Sequence, residues 1–303
     1  MATQLKKHSH KILILCLTAI FSFGCTEELN KLKDSRIIEG LKEALNVGTK
    51  NATKMLGTKD GYMKDPTVFI DLPDDAKTTI ETASKVAGII KTINNIPGVS
   101  SLIQSSGVNL SVLSSDLSSN LISAFNRGAE QAAPQAVGVF VKAIAGMSIT
   151  DGKEILFSSN NEAATDYLYT NTSDSLTFAF SPIINGTISE IKVDVGNDSY
   201  NALTAWSFYA DQNNKLANLI KSSKFQSALG LAQFALNDSQ IQTINSIQTV
   251  NTDLGGYVVG KALGGIFNKI GKEEDKIRND ISARIGNDLL MEVFGELDKK
   301  KQK

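Results

Sequence analysis

RIIEGLKEALNVGTKNATKML, residues 36–56, indicates the class of fold. Apolar and small residues recur in it at steps of three and four, a spacing that places them along one side of a helix. They are Ile37, Ile38, Leu41, Leu45, Gly48, Ala52 and Met55. A helix with one apolar side packs that side on a core. The stretch therefore predicts a fold in which helices cover one another.

The same periodicity extends from this stretch to the C-terminal end. A second helix is expected from about Pro73 to Ile93, and a third pattern starts at Leu110 and is broken by Pro134, which opens the next helix. Further helical segments are predicted at 150–158, 160–171, 173–193, 253–277 and 281–296, with Pro182 kinking or dividing the third of these, and an apolar repeat continues through 212–250. The sequence thus predicts a mostly α, multi-helix single globular domain over residues 36–297.

Two segments depart from the helical pattern. Residues 57–73 combine turn residues with a short apolar run, which predicts a long loop whose Phe69, Ile70 and Leu72 pack on the core. Strand-type alternation is sparse, and SEIKVDV, residues 189–195, is its best example. Little or no β-structure is therefore expected, and DVGND, residues 194–198, is predicted to be a turn.

The N-terminus has the pattern of a secretion signal. Lys6, Lys7 and Lys11 precede the apolar run 12–23, which is shorter than the roughly 20 residues that cross a membrane and ends at Gly24-Cys25. We expect 1–24 to be a lipoprotein signal peptide, Cys25 to be lipidated, 25–35 to be a polar tether and 298–303 to be a solvated basic tail. The alternative is ordinary cleavage near Gly24, which would leave Cys25 as a free thiol.

Composition excludes several classes of site. The two histidines, His8 and His10, lie in the signal, and Cys16 and Cys25 are the two cysteines. The mature domain therefore has no Ser-His-Asp relay, Cys-His pair, zinc site or disulfide, and no cofactor is expected. Carboxylates remain able to bind Ca²⁺ or Mg²⁺. The chain has 31 basic and 32 acidic residues, so it offers no basic face for nucleic acid.

Several blocks of sequence resemble a known family. GLKEALNVGTKNA, residues 40–52, is followed by matching blocks at 126–130, 163–167, 172–182 and 200–203, and by a longer C-terminal block at 257–295. Together they resemble the bacterial lipoprotein family catalogued as domain of unknown function 4197, over roughly 38–296. The chain departs from that pattern at 204–251, which looks longer than the usual connection. The resemblance implies a secreted, mostly helical envelope domain and brings no assigned activity.

A glycine-rich segment resembles a nucleotide-binding motif. Residues 255–262, GGYVVGKA, nearly match the phosphate-binding loop G-x-x-x-x-G-K-[ST], but Ala262 stands where a Mg²⁺-binding hydroxyl is required. Residues 251–253 have the composition of a helix cap, so we expect a helix here and no nucleotide. Gly256, Gly260 and Gly264 then share one helix face, where small residues predict a close approach of another helix.

The candidate contacts for a ligand or partner are Asn126, Arg127, Glu130, Lys261 and Arg278. They supply much of the polar character of otherwise apolar helices. Arg127 and Glu130 are three residues apart and can form a structural ion pair; alternatively, Arg127 together with Arg278 could hold an anionic ligand or partner. The charged run at 273–280 is predicted to be a solvated helix face.

These patterns indicate a bacterial envelope protein that is exported and held to a membrane leaflet by its lipid. The leading hypothesis for its role is a non-catalytic binding or structural module for an envelope protein or a small ligand. The first alternative is a carboxylate- or Ser/Lys-dependent enzyme acting on envelope polymers. The second is a carrier of apolar ligands, which requires an internal cavity.

Overall fold

The computed structural model describes residues 32–114 and 117–302. The predicted signal peptide at 1–24 and Cys25, the predicted site of lipidation, lie outside the described residues. The chain is 75% helical and forms a single globular fold, as the periodicity predicts. The helices are α1 Asp34–Leu56, α2 Asp74–Ile93, α3 Pro97–Ser106, α4 Leu110–Leu113, α5 Ser118–Gly146, α6 Gly152–Leu156, α7 Ala163–Glu190, α8 Ala202–Lys221, α9 Ser223–Leu231, α10 Asp238–Asn245, α11 Gly255–Asn279 and α12 Asp288–Lys301.

Two short strands accompany the helices. β1, Lys192–Val195, and β2, Asp198–Asn201, pair antiparallel, with Val193 opposite Tyr200. β1 lies within the segment predicted as the best strand, and the predicted turn around Gly196 joins the two strands. Gly196 has φ +65°, a conformation that glycine adopts without steric cost.

The four longest helices form the centre of the molecule. α1, α5, α7 and α11 pack in a ring, each against two of the others. Four of the apolar residues that define the α1 stripe, Ile37, Leu41, Leu45 and Ala52, are buried, whereas Met55 is 42% exposed. The helices α2, α3, α4, α8, α9 and α10 cover one another beside this bundle, and α12 packs on α1. The stretch 204–251 accordingly forms α8, α9 and α10.

The predicted helix break at Pro134 is wrong, and Pro182 does not divide its helix. Pro134 lies inside α5 and Pro182 lies inside α7. Each proline removes a backbone donor, but the neighbouring turns remain buried, for example at Phe140 in α5 and at Phe180 and Ile184 in α7. Packing of the apolar face therefore outweighs the local preference of proline.

Other predicted boundaries also differ from the structure. The pattern that starts at Leu110 is two helices, α4 and α5, and the segment predicted as helix at 281–296 begins with a 3-10 turn, Ile281–Arg284, before α12 starts at Asp288. α12 continues to Lys301, so most of the predicted basic tail is helical.

The predicted glycine contact falls on a different residue. Gly256, Gly260 and Gly264 are exposed, and a Cβ built on any of them meets no atom within 4 Å. Gly265 is the residue that allows a close approach, because a Cβ there would lie 2.6 Å from the ring of Tyr62. The apolar residues of α11 lie on the other side of the helix, and that side faces the core. The expectation for the three spaced glycines was therefore wrong.

Candidate functional site

The long loop 57–73 is fixed to α5 by an amide. Asn126 is fully buried. Its Oδ1 accepts a hydrogen bond from the backbone N–H of Ile70 at 2.9 Å, and its Nδ2 donates to the carbonyl of Ile70 at 2.7 Å and to that of Ile122 at 2.8 Å. One side chain thereby satisfies both backbone groups of a buried loop residue.

One turn further along α5, an ion pair holds the start of the same loop. Glu130 Oε1 accepts the backbone N–H groups of Tyr62 and Met63 at 3.2 and 3.1 Å. Its Oε2 binds Arg127 at 2.7 Å, which confirms the predicted pair, and Arg127 also binds Asp60 at 2.6 Å. Lys64 and Arg127 lower the pKa of Asp60 to about 2 by hydrogen bonding to its carboxylate.

The helix α11 binds the loop from the other side. The Tyr62 hydroxyl donates to the carbonyl of Ala262 at 2.7 Å, and burial raises the pKa of this tyrosine. Lys269 forms an ion pair with Asp65, and the Tyr257 hydroxyl donates to the carbonyl of Asp71 at 3.0 Å. We call Asn126, Arg127, Glu130 and these loop and α11 partners the loop cluster; it joins α5 to α11 through residues 60–71.

A second group of polar residues fixes the start of α7. Glu274 is completely buried. It accepts hydrogen bonds from the backbone N–H groups of Ala164 at 3.0 Å and Thr165 at 2.7 Å, and from the Thr165 hydroxyl at 2.7 Å. A carboxylate suits this place because the first N–H groups of a helix are unpaired and carry partial positive charge.

Arg278 completes this second group. It is 2% exposed, and it donates from Nε to Glu274 at 2.8 Å and from Nη1 and Nη2 to the carbonyls of Leu156 at 2.8 Å and Ile155 at 3.0 Å. We call Glu274, Arg278 and their partners the junction cluster, because they connect the end of α6 with the start of α7. The prediction of a solvated face at 273–280 is therefore wrong for Glu273, Glu274 and Arg278, all of which are buried.

The structure brings some of the predicted site residues together and separates others. Asn126, Arg127 and Glu130 share the loop cluster, whereas Arg278 lies in the junction cluster. Among the described residues, Arg127 and Arg278 bind different partners. Lys261 is exposed and lies 5.5 Å from the centre of the Tyr257 ring.

The segment that resembles a phosphate-binding loop is helical. α11 begins at Gly255, and the Asp253 carboxylate accepts the N–H of that residue at 2.7 Å, so 251–253 do precede a helix start as expected. The backbone N–H groups of 258–262 consequently point along the helix instead of forming an open cradle.

A cleft of about 520 Å³ lies between α5 and α7. Val139 and Ala143 from α5 and Leu176 and Ala179 from α7 are its apolar lining residues, and Gln135, Lys142 and Ser175 are its polar ones. Gly138 and Ala179 are exposed, so the cleft is open to solvent. It can therefore accept an apolar side chain or a small apolar group from outside.

Among the described carboxyl groups, Glu162 has a raised pKa. Burial, with the negative charges of Asp166, Glu274 and Asp275, raises the pKa of Glu162. Its side chain packs on Gly271, where a Cβ would lie 2.6 Å from the Glu162 carboxylate. No group of three His, Cys, Asp or Glu in 32–114 and 117–302 is placed to hold a metal ion.

Sequence reasoning missed Asp60, Tyr62, Asp65 and Lys269 as members of the loop cluster. The sequence contained one signal for these residues. Polar and turn residues are dense in 57–73, and the helix predicted around 126–130 carries the polar pattern Asn-Arg-Gly-x-Glu. Such a loop needs side-chain partners for its backbone groups.

The family profile described as protein of unknown function (DUF4197) matches residues 31–102 and 95–295. The chain belongs to this family. The match includes both clusters, and DUF4197 has no established function to transfer. No curated protein and no solved structure matches the chain. Within the described part of this DUF4197 member, the helices are too short or too polar to cross a membrane.

Proposed function

We propose that the protein is a lipid-anchored protein of the bacterial envelope that acts as a non-catalytic binding or structural module. The anchoring part rests on the sequence pattern that ends at Gly24-Cys25. The non-catalytic part rests on one observation about the buried charges.

In the described fold, the buried charged side chains bind groups of their own chain. Glu130 and Glu274 accept backbone N–H groups, and Arg278 and Arg284 donate to backbone carbonyls; Lys269 pairs with Asp65, and Glu273 with Lys276. A catalytic acid, base or nucleophile has to reach a substrate. Buried charges that fix loops and helix ends within the fold favour a structural explanation.

The open cleft between α5 and α7 supports the binding part of the proposal. Phe178, also on α7, is 85% exposed. An open cleft with apolar residues in its lining can hold an apolar group of another molecule. An apolar-ligand carrier would instead need an enclosed cavity, whereas this cleft is open.

The anchor is tested with two cysteine variants. Cys25→Ala removes the proposed acceptor of the lipid, and Cys16→Ala, in the apolar run of the signal, is the matched control. We expect Cys25→Ala to move the protein from the membrane fraction to the soluble fraction and Cys16→Ala to leave it in the membrane. Intact mass shows in each case whether 1–24 has been removed and whether lipid is attached. A processed Cys25→Ala protein that stays in the membrane would contradict the anchor.

The binding role is tested by site-specific photocrosslinking in cells. A photoreactive residue at Ala179 probes the cleft, and one at Gly88, exposed on α2 with no atom within 4 Å of its Cβ position, is the control. We expect a discrete crosslinked product from Ala179 only. Equal products, or none, would contradict binding at this cleft.

The carboxylate-enzyme alternative has one observation in its favour, the raised pKa of Glu162. A carboxyl group that holds its proton at higher pH can act as a general acid. Purified protein incubated with isolated envelope polymers would release soluble fragments if this alternative is correct, and Glu162→Gln would abolish the release. We expect no release from either protein.

A further inference from the structure

A second cleft, of about 360 Å³, lies beside the C-terminal end of α12. Its charged lining residues are Arg278, Lys300 and Lys301, and all three are cationic. The neutral polar residues Ser158, Ser159 and Asn161 also line it. Cationic groups next to neutral hydrogen-bonding groups form a site suited to an oxyanion such as a phosphate.

The two lysines keep donors available for a ligand. Arg278 is 2% exposed and makes three hydrogen bonds within the fold, so it adds positive charge to the lining of the cleft. Lys301 donates to Asn279 Oδ1 at 2.8 Å, which leaves two of its three N–H groups. Lys300 lies 5.4 Å from the centre of the Phe157 ring, which holds its ammonium group at the cleft by a cation–π interaction.

The cleft lies at the end of the fold that contains the start of α1. Arg36 Nε donates to Glu292 at 2.8 Å, and Asn287 Nδ2 donates to Glu43 at 2.8 Å. Since the later residue of α1, Glu43, contacts Asn287 directly before α12, whereas Arg36 contacts Glu292 within it, the two helices run antiparallel. The C-terminal turn of α12, with its lysines, therefore extends beyond the level of Arg36, toward Leu32.

The neighbouring helix α6 confirms this placement. Lys153 on α6 forms an ion pair with Asp34 at 3.0 Å, and Phe157 follows directly after this helix. Both sides of the cleft are thus next to the start of α1. From Cys25 to Leu32 there are seven residues, which span at most about 25 Å when fully extended. A lipid on Cys25 would hold this end of the fold close to the membrane surface.

We propose that the cleft binds the phosphate of an anionic phospholipid headgroup in the membrane that holds the anchor. This inference rests on the proposed lipid anchor for the choice of a lipid as the source of the phosphate. Each basic residue close to an anionic surface strengthens binding by about fivefold. The cleft would orient the domain on the membrane, which a flexible tether alone does not do.

The test uses the full chain purified in a non-ionic detergent. The probes are short-chain phosphatidylglycerol, which is anionic, short-chain phosphatidylcholine, which is zwitterionic, and inorganic phosphate. Binding is measured as the rise in melting temperature with probe concentration, since a ligand of the folded state stabilises it. The test variant is Lys300→Gln with Lys301→Gln. The control is Lys50→Gln with Lys54→Gln, two exposed lysines in the second half of α1.

We expect phosphatidylglycerol to stabilise the original protein and the control variant, and phosphatidylcholine to stabilise neither. The Lys300, Lys301 variant should keep its melting temperature without probe and should bind phosphatidylglycerol roughly tenfold more weakly or beyond, because charged hydrogen bonds to the phosphate are lost. Equal binding by the two variants, equal effects of the two lipids, or no effect of phosphatidylglycerol would overturn the proposal. Inorganic phosphate acting as strongly as phosphatidylglycerol would overturn the lipid as the source.

The intact mass of the same preparation shows whether Cys25 carries lipid. A lipidated protein without the phosphatidylglycerol effect contradicts the cleft and leaves the anchor intact. A protein without lipid contradicts the anchor, while the probes still show whether the cleft binds the headgroup.

Discussion

Asn126 and Ile70 form a two-point hydrogen bond between a side-chain amide on α5 and the backbone of the 57–73 loop. The amide oxygen accepts at 2.9 Å and the amide nitrogen donates at 2.7 Å. Asparagine has both an acceptor and a donor at one end of a short side chain, so it can satisfy the N–H and the carbonyl of the same residue. Both partners are buried, and no replacement of similar size offers the same pair of groups.

The substitution Asn126→Asp should therefore destabilise the fold although it preserves shape. A carboxylate accepts from the N–H of Ile70 but cannot donate to its carbonyl or to that of Ile122. An unsatisfied buried polar group costs about 1–3 kcal/mol. We expect a loss of at least that size in the free energy of unfolding, measured by urea denaturation at neutral pH. Asn171→Asp, at an exposed position of α7, is the control, and an equal loss there would refute the argument.

The buried pair of Glu274 and Arg278 predicts a larger effect. Glu274→Gln leaves the guanidinium buried without its counter-charge, and the loss of one partner of such a pair typically costs about 3–5 kcal/mol. We expect a decrease of that order in the free energy of unfolding. Glu39→Gln removes a carboxylate from an exposed pair with Arg36 and should cost less than about 1 kcal/mol. Similar losses for the two variants, in the same denaturation experiment, would argue against a structural role for the junction cluster.

The sequence predicted those features that depend on local periodicity. The α1 stripe, the long loop at 57–73, the strand-type alternation at 189–195 and the pairing of Arg127 with Glu130 all follow from spacing along the chain. Each depends on residues close in sequence, so a pattern of three or four residues is enough to predict it. The mostly helical single domain is predicted for the same reason.

The rest depends on contacts between distant segments. Whether Glu274 faces solvent is decided by the unpaired N–H groups at the start of α7, more than a hundred residues earlier. Pro134 stays inside a helix because the packing of α5 outweighs the missing hydrogen bond. In both cases the deciding contact is made by a segment that is distant in sequence. Local rules therefore predicted a solvated face for Glu274 and a helix break at Pro134.

Replacing either of two adjacent glycines of α11 with alanine should shift the melting temperature, in opposite directions for the two positions. A Cβ on Gly264 meets nothing within 4 Å, whereas a Cβ on Gly265 would lie 2.6 Å from the Tyr62 ring. Alanine is favoured over glycine inside a helix by about 0.8–1.0 kcal/mol. We expect Gly264→Ala to raise the melting temperature and Gly265→Ala to lower it, because Tyr62 would be displaced from its bond to Ala262. Two shifts of the same sign, read by differential scanning calorimetry, would show that Tyr62 does not pack as described.

The ion pair between Asp65 and Lys269 predicts an acid-dependent part of the stability. Hydrogen bonding to Lys269 and Thr67 lowers the pKa of Asp65 from 3.8 to about 2. Because the folded pKa is the lower one, the stabilisation is complete above the unfolded value and is lost as the pH falls through about 2. It amounts to on the order of 1 kcal/mol, after allowance for the partial exposure of the carboxylate.

We therefore expect Asp65→Asn to be less stable than the original protein at pH 6 and the difference to shrink between pH 4 and pH 2. The measurement is urea denaturation at a series of pH values. Asp174→Asn, on the exposed side of α7, removes a charge of the same sign without touching the loop, so its difference from the original protein should stay nearly constant over this window. A difference for Asp65→Asn that persists unchanged at pH 2 would show that the carboxylate stabilises the loop independently of its charge.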